Sequence, residues 1–469
     1  MGKFIRRALI FLLAAAGILA AAKYGQRWQT EEEPEASGIL VQILTEQRKS
    51  EMKEAVLQGL QEDVELPESY DYREEGRSVP VRDQGRYGTC WAFASLTALE
   101  TTLMPEKLLD FSRDHLNFQN HYNFSVEEGG SYIMSVAYLT AWQGPVLEED
   151  DPYGDNRTEE GLRPVCHVQG VRMPDAKDYY AIKQTVYRYG GVESSLYIDF
   201  TNPREESEYY SREHSSYCYT GGELSNHDVV IIGWDDHYPA ENFSKEVLGD
   251  GAFICQNSWG TAFGEDGIFY VSYYDTNIGN YNVAYTDVEA ADNYNVIYQS
   301  DLCGWTGQIG YNSDTGSFAN VYEASEDQEL QAVGFYATGA DTQYRVAVIP
   351  EFQGSSYLET ITYTQSGYLQ YPGYYTIRLK ETVSLKKGQR FAVAVQITTP
   401  GVSYPIAVEF ASSELGNAVD LTDGEGYISP NGRSWERVED VQNSNLCLKA
   451  YAVQNQQAQE EEEQEAKKP

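Results

Sequence analysis

The chain has 469 residues, which predicts two or three domains and is ample to bury hydrophobic cores without disulfide staples. Its 72 acidic residues outnumber 34 basic ones, and the formal net charge is −38. This charge excludes a nucleic-acid partner and adhesion to anionic lipid through a basic patch. With 41% hydrophobic and 13% aromatic residues, the chain is not a disordered acidic polymer, and we expect an acidic globular protein.

The first segment, residues 1–22, has the layout of a secretory signal. Three basic residues, Lys3, Arg6 and Arg7, precede the uncharged run 8–22, which closes on small residues. A membrane-spanning helix needs about 20 apolar residues, so cleavage and export is favoured over a retained signal anchor. The expected location is extracellular or at the cell surface, with membrane attachment only if this segment is retained.

Residues 23–65 form an acidic, polar segment that is either a linker or a short pro-segment. In residues 66–289, some segments have the spacing of apolar residues typical of helices and others that typical of strands. They are predicted to form one α+β domain. The predicted helices are Cys90–Met104, which is apolar nearly all round, Tyr132–Trp142 and Tyr180–Tyr189. The predicted strands are rich in β-branched and aromatic residues and comprise Val229–Trp234, Ala252–Gln256 and Ile268–Tyr273.

Residues 290–453 contain short alternating runs separated by turn residues, which predicts an antiparallel β-sandwich. The predicted strands are Gln331–Ala337, Tyr344–Ile349, Tyr374–Leu379, Arg390–Ile397, Ile406–Phe410 and Asn445–Ala452. Residues 454–469 are mostly Gln, Glu and Lys and are expected to be a disordered acidic tail. Two cysteine pairs, Cys166 with Cys218 and Cys303 with Cys447, are open as disulfides or as free thiols.

The stretch V-R-D-Q-G-R-Y-G-T-C-W-A-F-A (81–94) carries the first chemical signal. A glycine-rich turn delivers Cys90 to the first turn of the predicted buried helix. Free N–H groups and the helix dipole favour an anion there, so we expect this thiol to ionise more easily than a free one. Taken alone, a cysteine such as Cys90 is more often an inert buried residue of a helix.

Two later segments supply partners for this thiol. His227 opens a predicted strand, and Asn257 follows the strand Ala252–Gln256. Each alone is compatible with a structural role. Together, cysteine, histidine and asparagine in this order suit nucleophilic acyl transfer.

These motifs resemble the papain family of cysteine peptidases over about residues 66–285. The resemblance implies a two-lobed domain, with a helical lobe and a β-barrel-like lobe, ahead of the all-β sandwich. The matching residues are Gln84-Gly85, Gly88, Cys90-Trp91-Ala92-Phe93, Gly129-Gly130, Pro152-Tyr153, Asn226-His227 and Asn257–Thr261.

The resemblance implies a role for each candidate site residue. Cys90 would be the nucleophile, His227 the general base and then acid, and Asn257 the residue that orients the imidazole. Trp259 would cover the histidine–asparagine bond and keep water away from it. The Gln84 amide would donate to the oxyanion, as would the Cys90 backbone N–H. A bare backbone at Gly129 and Gly130 would pair with an extended substrate, although an ordinary turn explains the two glycines as well.

Three departures from the family pattern affect these expectations. Tyr87 stands where the helix-start signature has its first cysteine, so the site has to be held by packing instead of a disulfide. Asn226 stands where the family often has aspartate. Asp228 stands where the family usually has a small residue lining a substrate pocket. Its carboxylate either favours a Lys or Arg side chain there, or points to solvent or pairs locally.

The sequence therefore predicts an exported thiol peptidase that works through a Cys90 thioester on protein or peptide substrates. Neither a cofactor nor a catalytic metal is expected, since the remaining histidines show no ligand spacing. The tyrosine-rich second domain is similar to the lectin-like sandwich of some bacterial exported proteins, which makes carbohydrate binding conceivable beside a bracing role. The alternatives are an inactive surface adhesion protein and a cell-wall amidase using the same thiol chemistry.

Overall fold

The computed structural model describes residues 65–200, 205–412 and 415–454, together with the backbone of residues 40–43. The predicted signal 1–22, most of segment 23–65 and nearly all of the tail 454–469 lie outside the described residues. The described chain divides into two compact units. The first unit holds residues 65–288, and the second holds residues 289–454 with residues 40–43.

The helices of the first unit agree with the predicted ones to within two residues at each end. One further helix, the short α2, was not predicted; its N-cap Ser112 accepts a hydrogen bond from the His115 N–H. The helices are α1 (Cys90–Leu103), α2 (Arg113–Phe118), α3 (Tyr132–Thr140) and α4 (Tyr179–Arg188).

Helix α1 is the central helix of this unit. Every side chain from Trp91 to Thr101 is buried, which confirms the prediction from a sequence that is apolar nearly all round. Cys90, the first residue of α1, is partly exposed. The helix thus leaves its N-terminal residue partly accessible to solvent.

The strands of the first unit form a sheet in the order β3-β10-β4-β7-β8-β9-β6-β5, with β2 beside β7. Strand β7 lies inside the sheet. Its central residues are apolar, and they are buried on both faces of the sheet. Helix α1 packs against β4 and β7. The strands are β2 (Ser69–Asp71), β3 (Cys166–Arg172), β4 (Val192–Leu196), β5 (Tyr210–Ser211), β6 (Ser216–Tyr217), β7 (His227–Asp235), β8 (Ala252–Gln256), β9 (Ile268–Ser272) and β10 (Asn282–Ala290).

The second unit is made mostly of antiparallel strands. One sheet runs β16-β15-β18-β13-β20-β21, another set runs β11-β23-β14-β17, and a third runs β1-β12-β19-β22. The strands are β1 (Leu40–Ile43), β11 (Val296–Tyr298), β12 (Gly307–Gly310), β13 (Thr315–Glu323), β14 (Gln328–Ala337), β15 (Thr342–Ile349), β16 (Gln365–Leu369), β17 (Gly373–Leu385), β18 (Arg390–Thr398), β19 (Ile406–Phe410), β20 (Gly426–Ser429), β21 (Glu436–Arg437), β22 (Ser444–Leu446) and β23 (Leu448–Gln454), with one short helix, α5 (Val438–Gln442).

All three sets of strands contribute to one hydrophobic core in this unit. Phe335 of β14, Val395 of β18 and Val408 of β19 are fully buried in it. Each of the six predicted strand segments coincides with an observed strand, except that Asn445–Ala452 is interrupted at Cys447 between β22 and β23. The alternation of apolar and polar residues along these strands therefore reflects one face of each strand being buried in the sandwich.

Two properties hold across the described residues. All six cysteines are free thiols, so neither of the two candidate disulfides is formed. No helix among the residues that the structure describes is long and apolar enough to cross a bilayer.

Candidate active site

The turn before Cys90 is fixed by hydrogen bonds and close backbone packing. Gly88 N–H donates to the Val126 carbonyl at 2.7 Å. A side chain at Gly88 would lie 3.0 Å from the Gly129 nitrogen, so the two loops touch backbone to backbone. The loop is thus held without the disulfide that the Tyr87 departure removes, as the sequence predicted.

Tyr153 is a second anchor of the same turn. Its hydroxyl donates to the Gln84 carbonyl at 2.9 Å and lies 2.7 Å from the Thr89 hydroxyl. Its ring also meets Phe93 edge to face at 4.8 Å. One side chain therefore connects the start of the turn, the residue before Cys90 and helix α1. Sequence analysis noted Tyr153 only as a matching residue and did not predict this contact.

His227 and Asn257 form the hydrogen bond that the sequence predicts. The imidazole Nε2 lies 2.8 Å from Asn257 Oδ1, and both side chains are buried. Asn257 Oδ1 also accepts the Ser258 N–H at 2.8 Å, which identifies it as the acceptor. His227 Nε2 therefore carries the hydrogen, and Nδ1 is left with its lone pair.

Trp259 covers this pair. Its ring centroid lies 4.9 Å from that of His227, and its own side chain is buried. Phe200 and Phe263 meet Trp259 edge to face at 5.3 and 5.2 Å and hold it in place. The indole can keep water from the bond between His227 and Asn257.

The start of strand β7 lies near Cys90. The backbone N–H groups of Asp228 and Trp91 lower the pKa of the Cys90 thiol, so both groups are close to it. Asp228 directly follows His227 in β7. Asn226 fixes this end of the strand, because its side chain both donates to and accepts from the backbone of Ile198 at 2.9 and 2.8 Å.

Gln84 is oriented by a residue that sequence analysis missed. Ser258 Oγ donates to Gln84 Oε1 at 2.6 Å, and Gln84 N–H donates to the Ser258 carbonyl at 2.8 Å. One hydrogen of Gln84 Nε2 goes to the Tyr87 carbonyl at 2.8 Å. The Tyr87 carbonyl thus uses one of the two amide hydrogens of Gln84.

Gly129 and Gly130 are required by packing. Gly129 has φ +89°, which favours glycine, and a side chain on Gly130 would lie 2.4 Å from the Trp91 ring. Both residues are partly exposed. These contacts explain the glycines without a substrate and leave their backbone accessible to one.

Two carboxylates lie on the sheet face that packs against α1. Asp228 Oδ1 accepts from Ser195 Oγ at 2.5 Å, and Ser195 is its cross-strand partner in β4. Glu193 lies two residues earlier on β4 and accepts from Ser95 Oγ of α1 at 2.5 Å. Asp228 is partly exposed, whereas Glu193 is only 2% exposed. Sequence analysis singled out Asp228 and missed Glu193.

Burial disfavours an isolated charge on the Cys90 thiol or on the His227 imidazole. Burial and the nearby Asp228 carboxylate raise the pKa of the Cys90 thiol, against two backbone N–H groups that lower it. This reverses the expectation that the helix N-terminus alone would ease ionisation of the thiol. Burial also lowers the pKa of His227 to about 4, although its bond to Asn257 opposes the shift. Each of the two groups taken alone therefore favours its neutral form.

The described residues hold no cluster of three or more His, Cys, Asp or Glu side chains suited to a metal ion.

Family models match both units of the chain. Residues 66–288 match the papain family cysteine protease, and residues 297–452 match the lectin like domain. Residues 66–288 belong to the papain family. In this papain-family domain, the cysteine, histidine and asparagine lie in the order that the sequence analysis used.

Curated relatives match the papain-family domain. Cathepsin K of Gallus gallus is 33% identical over 211 residues, which cover 43% of this chain and 57% of that protein. The viral cathepsin of Heliothis zea nuclear polyhedrosis virus is 26% identical over 223 residues, which cover 45% of this chain and 53% of that protein. The chain thus spans little more than half the length of these relatives.

A solved structure matches both units. The cysteine protease and lectin-like domains of Cwp84, a surface layer associated protein of Clostridium difficile, align with a TM-score of 0.73 at 26% identity. The alignment covers 84% of this chain and 90% of that one. The match confirms the predicted fold class, a papain-like domain followed by a lectin-like all-β domain.

Proposed function

We propose that the protein is an exported cysteine peptidase that hydrolyses peptide bonds through a thioester on Cys90. The observation that carries the proposal is the bond from His227 Nε2 to Asn257 Oδ1 at 2.8 Å under Trp259. It leaves His227 Nδ1 with a lone pair for use as a base, and strand β7, which begins at His227, packs against helix α1, whose first residue Cys90 is partly exposed.

In the proposed reaction, His227 Nδ1 takes the proton of the Cys90 thiol, and the sulfur attacks the peptide carbonyl carbon. The C–N bond of the tetrahedral intermediate breaks, and the leaving amine takes the proton from His227. A thioester remains on Cys90. Water then gives a proton to His227 and adds to the thioester carbonyl; the carboxylic acid leaves, and the proton returns to the sulfur.

The supporting residues have separate roles in this proposal. Asn257 fixes the imidazole ring, and Trp259 excludes water from their bond. Gln84 Nε2 and the Cys90 backbone N–H donate to the oxyanion, an interaction worth roughly 3 kcal/mol for each donor. The exposed backbone of Gly129 and Gly130 would pair with an extended substrate, and Asp228 would contact a substrate side chain.

A covalent label tests this proposal. A thiol-directed peptidyl epoxide should modify the reduced, processed protein at one site, and peptide mapping should place the adduct on Cys90. Cys90→Ala should abolish the label. Cys166→Ala is the matched control, because Cys166 is a buried thiol that should leave labelling intact. A parent protein that takes no label and cuts no peptide pool contradicts the proposal.

Export and surface location are part of the same proposal. They are supported by the basic start and uncharged run of segment 1–22, and by the surface layer association stated for Cwp84. Mass spectrometry of the protein from the producing cell should find an N-terminus near Lys23 or near Leu66. A start near Leu66 would identify residues 23–65 as a removed pro-segment, and an intact Met1 in the cytosol would contradict export.

Carbohydrate binding by the lectin-like domain is a further part of the proposal. Tyr357 and Tyr368 are 40% and 45% exposed, and such rings stack on sugar faces. Tyr368→Ala should reduce retention of Cys90→Ala protein on immobilised glycans that retain the parent. Absence of retention on every glycan tested leaves the domain with a bracing role.

A further inference from the structure

A small cavity lies among residues of helix α1, strand β7 and strand β8. Its volume is about 10 Å³, which is the space that one water molecule needs. Arg82, Thr97 and Asn257 are among the residues that line it. Because these side chains are polar, the cavity suits a water molecule better than an apolar group.

The amide of Asn257 is held at one end only. Its Oδ1 lies 2.8 Å from His227 Nε2 and accepts the Ser258 N–H at 2.8 Å. Its Nδ2 is buried and has no hydrogen-bond partner within residues 65–200, 205–412 and 415–454. A buried donor without an acceptor destabilises the folded protein, so we expect an acceptor at this nitrogen.

Thr97 supplies a second polar group at the same cavity. Its side chain is 6% exposed and belongs to helix α1, two turns after Cys90. In the part of the chain that the structure describes, its hydroxyl accepts one hydrogen bond, from Arg113 Nη2 at 3.5 Å. This distance is long for a hydrogen bond, and a hydroxyl has two acceptor positions, so Thr97 Oγ1 can accept from another donor.

Other threonines of the same helix use their hydroxyls differently. Thr101 and Thr102 donate to the Ala98 carbonyl at 2.7 and 3.2 Å. Such bonds stay within the helix and explain these two residues without a further partner. Thr97 is the threonine of α1 that lines the cavity beside Asn257.

We propose that a water molecule in this cavity accepts a hydrogen bond from Asn257 Nδ2 and donates one to Thr97 Oγ1. Thr97 is then a positioning residue, which acts through the water on Asn257 and through Asn257 on the His227 imidazole. The inference rests on the peptidase activity proposed above. With the water in place, the amide of Asn257 is held at both ends.

Loss of the Thr97 hydroxyl should loosen this arrangement. The water would lose its acceptor, and the buried Nδ2 would gain by turning towards another one. That rotation weakens the bond between Asn257 Oδ1 and His227 Nε2, and the imidazole then accepts the Cys90 proton less readily.

Thr97→Val tests this role, because valine has nearly the same size and no hydroxyl. The kcat for a peptide substrate should fall roughly 3- to 10-fold, the worth of one net hydrogen bond. KM should stay unchanged, since Thr97 is buried beneath the site. Alkylation of Cys90 by iodoacetamide at pH 7 should slow by a similar factor.

Two further variants separate positioning from a loss of stability. Thr97→Ser keeps the hydroxyl and should recover most of the parent's kcat. Thr140→Val is the matched control, because Thr140 is a buried helix threonine whose hydroxyl donates to the Val136 carbonyl at 2.8 Å. This control should leave kcat unchanged even where thermal unfolding shows that it is less stable than the parent.

A crystal structure of the parent tests the water directly. Density for a water should appear within hydrogen-bonding distance of Asn257 Nδ2 and Thr97 Oγ1, and it should be lost or displaced in Thr97→Val. A parent structure without this water, or with Asn257 Nδ2 bonded to a protein atom, overturns the inference.

The outcomes also separate this inference from the proposed function. If the parent takes no epoxide and cuts no peptide, the peptidase proposal fails, and the crystal structure still decides whether the water is present. If the parent is active, the role of Thr97 is wrong when Thr97→Val keeps the parent's kcat, or when Thr97→Ser is as slow as Thr97→Val.

Discussion

Burial sets the protonation states of Cys90 and His227. Burial raises the pKa of the thiol and lowers that of the imidazole to about 4. Either group alone therefore prefers its neutral form at neutral pH. In the proposed reaction, the reactive state is the thiolate–imidazolium pair, in which each charge is the counter-ion of the other.

Removal of the imidazole should make the thiol inert. In His227→Ala, Cys90 has to ionise alone among Asp228 and Glu193, so alkylation by iodoacetamide at pH 7 should slow by at least about 100-fold, the effect of two pKa units. The pH profile of the rate should move to alkaline pH. His237→Ala is the control, because His237 is exposed and contacts Glu68. Equal rates in the two variants would show that His227 does not act on the thiol.

The acid limit of activity follows from the lowered pKa of His227. A histidine with its ordinary pKa of about 6.5 would be protonated at pH 5, and could not accept the thiol proton. His227, with a pKa of about 4, stays neutral there. Hydrolysis of a peptide without ionisable side chains should persist at pH 5 and fall only below about pH 4. A decline centred near pH 6.5 would contradict the environment described for this ring.

At the scale of elements, the candidate site is formed where the start of helix α1 packs against two loops. The Gly88 turn and the Gly129 loop meet backbone to backbone, and Gly130 lies against the Trp91 ring. Tyr153 and Ser258 connect the same turn to two other loops through Thr89 and Gln84. The position of Cys90 is thus set by close packing where a disulfide is absent.

A methyl group at Gly130 should disturb this packing. In Gly130→Ala the new carbon would lie 2.4 Å from Trp91, and overpacking of this kind costs about 1–3 kcal/mol. The unfolding temperature of the papain-family domain should fall by about 2–4 °C for each kcal/mol. Gly222→Ala is the matched control, since nothing lies within 4 Å of the added carbon. Identical thermal unfolding of the two variants would show that Gly130 is not constrained by Trp91.

The order of elements in the first unit could be predicted from local patterns. The buried helix α1 and the strand β8 follow from their apolar runs, and β8 has the predicted bounds. Helix α2 is six residues long and too short for a periodic signal. Cys90, His227 and Asn257 were predicted because their order resembles a known family.

The supporting contacts could not be predicted in the same way. Ser258 bonds to Gln84 across 174 positions of sequence, and Ser95 bonds to Glu193 across 98. Such pairs are created by the tertiary fold, so no local pattern indicates them. The raised pKa of Cys90 was missed for the same reason, because the burial and the acids that cause it come from strands β4 and β7.

At the scale of the whole molecule, the described chain divides into two compact units. The papain-family domain contains every residue assigned to the reaction. The lectin-like domain has its own core around Phe335, Val395 and Val408. The proposed reaction is thus assigned to the papain-family domain, and any binding to a surface is assigned to the lectin-like domain. The net charge of −38 disfavours acidic partners for the protein as a whole.

The central claim, acyl transfer to Cys90, can be observed directly. Rapid quenching during hydrolysis of an activated peptide ester, followed by intact-protein mass spectrometry, should show a transient gain equal to the acyl group. Peptide mapping should place that acyl group on Cys90. In the Cys90→Ser variant, the acyl adduct should accumulate more slowly than in the parent protein. Hydrolysis at full rate with no adduct, or with an adduct on another residue, would contradict the account.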